Sequence, residues 1–305
     1  MEHGITFLRD KKLYLPSTEP KENELLANYS FQKYLEARDC VSSTGLRKLL
    51  QSPRHYLSWL IDNTEEETDY YRFGRAAHMM MLEPEEFRKR YLVMPDFGDM
   101  RSSKNRAQRD EWLSQCYDSA VVVTNTEYDD LVGMAEAIQA HGEANNIMRN
   151  CKTEVTGFFT CPETNLRCKI RPDILHEDEM GLSIWDYKTT SFLAGCVKDI
   201  ETYGYHIQLG FYYYGLSVIY GTDPFSAGLM FQEKKRPWEP DPIYMEEETI
   251  KKGVMLAKHG LKVLRKCIDT NIWPFSKSGV RMAGVSQWVK SAPLPEFNFG
   301  DSNEN

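Results

Sequence analysis

The chain has 305 residues, 41% apolar and 27% charged, a mixture typical of a folded globular protein. No stretch approaches about 18 consecutive apolar residues, and the amino-terminal segment lacks an apolar core, so we predict a cytoplasmic protein without a membrane span or secretory signal. The formal net charge of −8 argues against a passive nucleic-acid binder, which is normally basic. It leaves room for an enzyme that confines nucleic acid to a local basic channel.

The seven cysteines are scattered, and no two of them form a Cys-x-x-Cys pair. The spacing therefore gives no support to a zinc ribbon or a redox motif. In a reducing compartment most of these cysteines are expected to be small, buried apolar residues. Cys151, Cys161 and Cys168 lie close together, but they match no spacing typical of an iron–sulfur cluster.

Helical patterns follow one another in the first half of the chain. Ser42 or Ser43 can cap a first helix, and Pro53 suits the first turn of a second. A third helix is predicted over residues 72–91, with a break or restart at Pro84.

A polar stretch over residues 95–110 interrupts these helices and predicts a mobile loop that leads into a helix near Glu111. A further helix of roughly 20 residues is predicted from about Thr126 by the spacing of its apolar positions. The polar stretch is basic, and so are residues 234–236. Both runs could line a path for nucleic acid or be solvated loops. The basic residues concerned are Arg101, Lys104, Arg106, Arg109, Lys234, Lys235 and Arg236.

The pattern then changes to short segments rich in β-forming residues. Three consecutive strands are predicted over residues 153–160, 166–175 and 182–190, the first two forming a hairpin. A helix follows, then two more strands and a long amphipathic helix, over residues 206–221, 226–235, 242–248 and 246–269.

This order of elements predicts one α/β domain, with a mixed central β-sheet flanked by helices and a helical amino-terminal part. We assign residues 1–40 to an amino-terminal arm or cover, 41–275 to the main domain and 276–305 to a loop-rich tail.

Candidate chemistry lies between residues 154 and 188. Asp173 follows Pro172 at the end of one predicted strand, and Asp186 and Lys188 project to the same face of the next. Glu154 begins the predicted strand that pairs with the strand leading to Asp173. Three carboxylates and a lysine can therefore converge at one end of a sheet. Mg²⁺ and Mn²⁺ prefer such oxygen ligands, and phosphodiester hydrolysis is the reaction that the set fits. The alternative for an Asp-x-Lys sequence is a weak ion pair on a solvated face.

Five motifs follow one another in order over residues 42–235. They are SSTGLRKLLQSPRHY, FGRAAHMMMLEPEEF with His78, RCKIRPDIL, WDYKTT and YHIQLGFYYYGL. Together they resemble the exodeoxyribonuclease VIII (RecE-type) branch of the PD-(D/E)XK nucleases, with His78 in the histidine position. The resemblance implies the restriction-endonuclease-like PD-(D/E)XK core.

The resemblance also implies roles for individual residues. Asp173, Asp186 and the backbone carbonyl of Tyr187 would bind Mg²⁺, for which Mn²⁺ can substitute. His78 would reach the metal directly or through water, and Glu154 would be an additional acid beside it.

Two further roles come with the same resemblance. Lys188 would orient water or stabilise charge, and Gln208 would position the acids or the DNA end. The competing interpretations are a buried core histidine for His78, an exposed strand residue for Glu154 and simple packing for Gln208.

The function implied by the family branch is a 5′→3′ exonuclease that degrades one strand of linear double-stranded DNA from its ends. Such enzymes leave 3′ single strands for recombination, work with a single-strand annealing protein and form homo-oligomeric rings. The resemblance implies no association with a membrane.

Three alternatives stay open. The same core serves single-strand or structure-specific endonucleases, or it can persist as a catalytically inactive DNA-binding or assembly module. A metal-free hydrolase with Glu154 and Asp173 as acid and base would give Lys188 no clear task. Arg167, Lys169 and Arg171 alternate on one strand and predict either contacts to phosphate or a solvated face.

Overall fold

The computed structural model describes residues 14–61, 69–116, 120–149 and 151–276. Residues 277–305, nearly all of the predicted tail, lie outside this description, as do residues 1–13. In the described ranges no helix combines the length and apolar character that crossing a bilayer requires.

The chain alternates between helices and strands. The helices are α1 (Phe31–Glu36), α2 (Ser43–Gln51), α3 (Pro53–Ile61), α4 (Asp69–Leu82), α5 (Pro84–Arg90), α6 (Ser103–Gln115), α7 (Asn125–Ala140), α8 (Gly142–Arg149), α9 (Cys196–Thr202), α10 (Tyr205–Tyr220) and α11 (Glu247–Thr270). The strands are β1 (Glu24–Leu26), β2 (Tyr91–Val93), β3 (Val121–Val123), β4 (Cys151–Thr153), β5 (Thr156–Thr160), β6 (Arg167–Ile170), β7 (Ile174–Asp178), β8 (Gly181–Thr190), β9 (Ser226–Glu233) and β10 (Pro240–Tyr244).

Three helices begin at the capping or first-turn residues that the sequence predicts. The Ser42 side chain accepts a hydrogen bond from the amide of Gly45 and caps α2. Pro53 and Pro84 occupy the first positions of α3 and α5, where the missing amide hydrogen is not needed. The predicted loop before Glu111 is shorter than expected, because α6 already begins at Ser103.

The central sheet has five strands in the order β10-β9-β8-β7-β4. β8 and β9 run parallel, whereas the other neighbouring pairs are antiparallel. Helices cover both faces: Ile184 of β8 packs in a core with α10 and α11, and Trp185 packs in a second core with α4 and α7. The predicted α/β fold with a mixed sheet between helices is confirmed.

The strand predicted over residues 166–175 is wrong in one respect, because it divides at residues 171–173 between two sheets. β6 belongs to a separate sheet with the order β1-β5-β6, whereas β7 belongs to the central sheet. Pro172 has no amide hydrogen to continue a strand ladder, which accounts for the break. The predicted strand over residues 153–160 also divides, at Glu154, whose φ of 53° is left-handed.

Residues 14–40 are more regular than the sequence indicates. β1 pairs antiparallel with β5, and α1 buries Tyr34. The alternating cations of β6 and the residue after it bind this arm, so both predictions for them, phosphate contacts and a solvated face, are wrong. All three are buried, and their side chains donate to backbone carbonyls: Arg167 to Glu22 (2.8 Å), Lys169 to Tyr34 (2.5 Å) and Arg171 to Tyr29 (2.7 Å).

Candidate active site

Two interruptions of regular strand pairing place the acidic residues. Glu154 lies between β4 and β5, Asp173 lies between β6 and β7, and the Glu154 amide donates to the Asp173 carbonyl at 2.9 Å. The two side chains meet His78 of α4: its Nδ1 is 3.4 Å from Glu154 Oε1, and its Nε2 is 3.0 Å from Asp173 Oδ2. One ligand atom from each of these residues lies within 4.8 Å of the others.

β8 brings the second half of the site. Asp186 is fully buried, pairs through Oδ2 with the Lys188 ammonium and accepts a 2.9 Å hydrogen bond from Gln208 through Oδ1. The Tyr187 amide donates to Asp173 Oδ2 at 2.8 Å, which fixes Asp173 against β8. The structure thus brings together the six side chains that the sequence singled out; the metal-binding role of the Tyr187 carbonyl stays a prediction.

The electrostatics of the carboxylates differ. Burial, together with the neighbouring charge of Asp173, raises the pKa of Asp186 to about 6. Burial also raises the pKa of Glu154, to about 7, against the opposing charges of His78 and Arg171. At Asp173 burial again favours the neutral form, but the charge and hydrogen bond of His78 outweigh it and lower the pKa.

The two bases respond to these acids. Burial lowers the pKa of His78, but the charge and hydrogen bond of Asp173 and the charge of Glu154 outweigh burial and raise it to about 9. At Lys188 the same competition, with Asp186 and Asp173 as the acids, leaves the pKa raised. At neutral pH the cluster therefore holds cationic His78 and Lys188 between buried acids.

This set of donors fits a divalent cation. Carboxylate oxygens are ligands for hard cations, an imidazole adds a nitrogen donor, and all three acids are largely removed from competing water. A bound dication would replace the proton of His78 as the charge that balances Glu154 and Asp173.

A measurable consequence is proton release when metal binds. We expect Mn²⁺ binding at pH 7.5 to release about one proton or more, because a ligating histidine must be neutral and His78 is cationic at that pH. Calorimetric titration in two buffers with different ionisation enthalpies measures this number. A number near zero would contradict a ligand role for His78.

Two residues that lie beside the site were assigned no role by the sequence analysis. The ring centroid of Tyr205, at the start of α10, lies 5.2 Å from the Lys188 Nζ atom, and the ring centroid of Tyr203 lies 5.7 Å from that of Tyr205. Tyr203 is 56% exposed, and Arg47 donates to its carbonyl at 2.8 Å. Their position depends on how α9 turns into α10, which no local pattern indicates.

Gln232 of β9 is a further omission. It is fully buried, accepts a hydrogen bond from the Tyr187 hydroxyl (2.5 Å) and donates to the carbonyls of Met134 (2.7 Å) and Trp238 (3.0 Å). It thus supports the face of β8 opposite Asp186 and Lys188. Its only signal in the sequence is a polar residue within an apolar strand.

In the two basic stretches, residues 95–110 and 234–236, several cationic side chains are engaged in contacts within the chain. Arg101 pairs with Asp99, Arg109 with Asp110 and Lys235 with Asp130. Arg106 donates to the carbonyls of Met100 and Arg101. These internal contacts lower the weight of either run as a path for nucleic acid.

Comparison with known proteins agrees with this fold. The family described as a PDDEXK-like domain of unknown function (DUF3799) matches residues 42–281. A crystal structure of a "putative exonuclease" from Eubacterium rectale superposes with a TM-score of 0.53 at 12% identity, covering 88% of this chain and 97% of that one. No curated protein matches the chain. The PD-(D/E)XK resemblance is thereby confirmed, and the RecE-type branch stays a prediction.

Proposed function

Because the chain belongs to the family of the PDDEXK-like domain of unknown function (DUF3799), we propose that it is a metal-dependent nuclease that hydrolyses phosphodiester bonds in DNA. The observation that carries the proposal is the convergence of Glu154, Asp173 and Asp186 with His78 and Lys188. A family fold alone fixes no activity, whereas this set of groups has a defined chemistry.

Each residue has a task in this proposal. Asp173, Asp186 and Glu154, with His78, would hold a divalent cation, which supplies Lewis-acid activation of the phosphate and of water when bound. Lys188, kept cationic by Asp186 and Asp173, places a positive charge where the phosphate gains negative charge during hydrolysis. Gln208 holds the Asp186 carboxylate through Oδ1 and so sets its orientation.

The finer features of the proposal come from the RecE-type resemblance. They are Mg²⁺ as the metal, with Mn²⁺ as a substitute, and attack on linear double-stranded DNA from its 5′ ends, which leaves 3′ single strands. A single-strand annealing protein as partner, a homo-oligomeric assembly and a cytoplasmic location belong to the same proposal.

A nuclease assay tests it. Linear duplex DNA labelled at the 5′ or the 3′ end is incubated with Mg²⁺, with Mn²⁺ or with EDTA, beside closed circular and single-stranded DNA. We expect metal-dependent loss of linear duplex only, with early release of the 5′ label. Cleavage of circles would indicate an endonuclease, cleavage in EDTA a metal-free hydrolase, and intact DNA throughout an inactive binding module.

The exposed ring of Tyr203 gives a prediction about substrate binding. A base next to the scissile phosphate can stack on this ring, and such stacking contributes about 1–3 kcal/mol per base. We expect Tyr203→Ala to raise KM for DNA roughly 5- to 150-fold with little change in kcat. Tyr220→Ala, an exposed tyrosine at the opposite end of α10, is the control. Equal KM values for the two variants would contradict the stacking role.

A further inference from the structure

Arg171 occupies a special position among the three cations that bind the arm. Arg167 and Lys169 donate to arm carbonyls, and in the part of the chain that the structure describes neither contacts an acid of the candidate site. Arg171 donates through Nε to Glu154 Oε2, and through its terminal nitrogen to the Tyr29 carbonyl (2.7 Å) and the Thr156 hydroxyl (2.6 Å). Its guanidinium therefore joins the arm, strand β5 and one acid of the site.

The two carboxylate oxygens of Glu154 have different partners. Oε2 is held by Arg171, whereas Oε1 lies 3.4 Å from His78 Nδ1, on the side of the acidic cluster. The residue has a left-handed φ of 53°, and its amide is bound to the Asp173 carbonyl. Main chain and one oxygen are thus both fixed, and the second oxygen is presented to the place where a metal fits.

From this geometry we infer that Arg171 is a positioning residue, which holds Glu154 in the orientation that metal binding requires and is itself held by the amino-terminal arm. The inference rests on the proposed metal site. A guanidinium suits the task because its fork of donors reaches several acceptors at fixed angles, whereas a lysine ammonium is a single point charge. Partners that orient metal ligands commonly change metal affinity about 10- to 100-fold when removed.

Arg167 provides a matched control. Like Arg171 it is a buried arginine that donates to an arm carbonyl, but it touches Glu24 rather than a residue of the site. We expect Arg171→Gln to weaken Mn²⁺ binding to the DNA-free full chain about 10- to 100-fold, with Arg171→Lys intermediate. Arg167→Gln should stay within about twofold of wild type. Cleavage by Arg171→Gln should recover at high Mn²⁺, so that the metal concentration for half-maximal rate rises while kcat changes little.

The titrations use calorimetry and Mn²⁺ electron paramagnetic resonance, with circular dichroism to verify folding and Asp173→Asn as a reference. Wild-type affinity in Arg171→Gln, or an equal loss in Arg167→Gln, would overturn the inference and leave the nuclease proposal standing. If Arg171→Gln does not fold, wild-type affinity in Arg171→Lys would overturn it. Absence of Mn²⁺ binding by the wild type would instead overturn the proposed metal site, and the inference with it.

Discussion

Asp186→Asn is expected to reduce DNA cleavage about 10³-fold or more, equivalent to about 4 kcal/mol of lost transition-state stabilisation. The substitution removes the charge of a fully buried carboxylate that pairs with Lys188, while an asparagine oxygen can still accept the hydrogen bond from Gln208. The expected loss therefore comes from charge at the site rather than from a collapse of its packing. Initial rates with saturating Mg²⁺ and with saturating Mn²⁺ measure it.

Asp186→Asn should affect the stability of the protein differently from its activity. In the folded protein the pKa of Asp186 is raised to about 6, above the value near 4 that an aspartate has in an unfolded chain. The folded state therefore binds its proton more strongly, and it loses stability as pH rises from about 4 through 6. Above that window the buried charge is a cost that asparagine does not carry. We expect metal-free Asp186→Asn to melt no lower than wild type at pH 7.5.

A control distinguishes these effects from a general loss of charge. Glu177 is an exposed acid on β7, and Glu177→Gln should cleave and melt like the wild type. Substantial cleavage by Asp186→Asn at saturating metal would show that Asp186 is not part of the active site. A large fall in its melting temperature would show that the ion pair with Lys188 is structural.

Part of the arrangement of the site could be predicted from the sequence because it follows local rules. Asp186 and Lys188 stand two residues apart on a strand, so their common face follows from the alternation of side chains alone. Pro172 predicts the end of a strand. It does not predict that the chain passes from one sheet to another there. The histidine and glutamine required the resemblance, because neither His78 nor Gln208 has a local pattern that separates a functional residue from a buried one.

What the sequence could not give depends on long-range contacts. The alternation of Arg167, Lys169 and Arg171 is typical of a solvated strand face, and only the arm, more than 120 residues earlier, makes that face an interior. An arm of polar residues shows no hydrophobic period from which its docking could be predicted. Polar main-chain groups meet cationic side chains there, and such an interface has no signature in a hydropathy pattern.

Helices α10 and α11 approach each other at backbone contact, and we expect the stability of the protein to depend on this packing. Gly210 and Gly253 face each other, and a Cβ on Gly210 would lie under 3.0 Å from the backbone of Gly253 and Val254. A Cβ on Gly253 would overlap the carbonyl oxygen of His206 in the same way. Since backbone atoms rather than flexible side-chain ends stand in the way, the contact can be relieved only by moving the helices apart.

Gly210→Ala is therefore expected to destabilise the protein by about 2–3 kcal/mol, and to lower its melting temperature by roughly 4–12 °C. In an isolated helix the same change would stabilise by about 0.5–1 kcal/mol, so the sign depends on packing. Gln208 stands two residues earlier on α10, so a displaced helix should also disturb its hydrogen bond to Asp186 and lower cleavage.

Gly142→Ala is the matched control, because Gly142 begins α8 and a Cβ there would have no neighbour within 4 Å. We expect its melting temperature to equal or slightly exceed that of the wild type, since alanine favours the helix without a clash. Thermal unfolding followed by circular dichroism compares the three proteins. If Gly210→Ala has the same melting temperature as Gly142→Ala, then α10 and α11 do not pack at backbone contact. In that case the support for Asp186 through Gln208 would not depend on that packing.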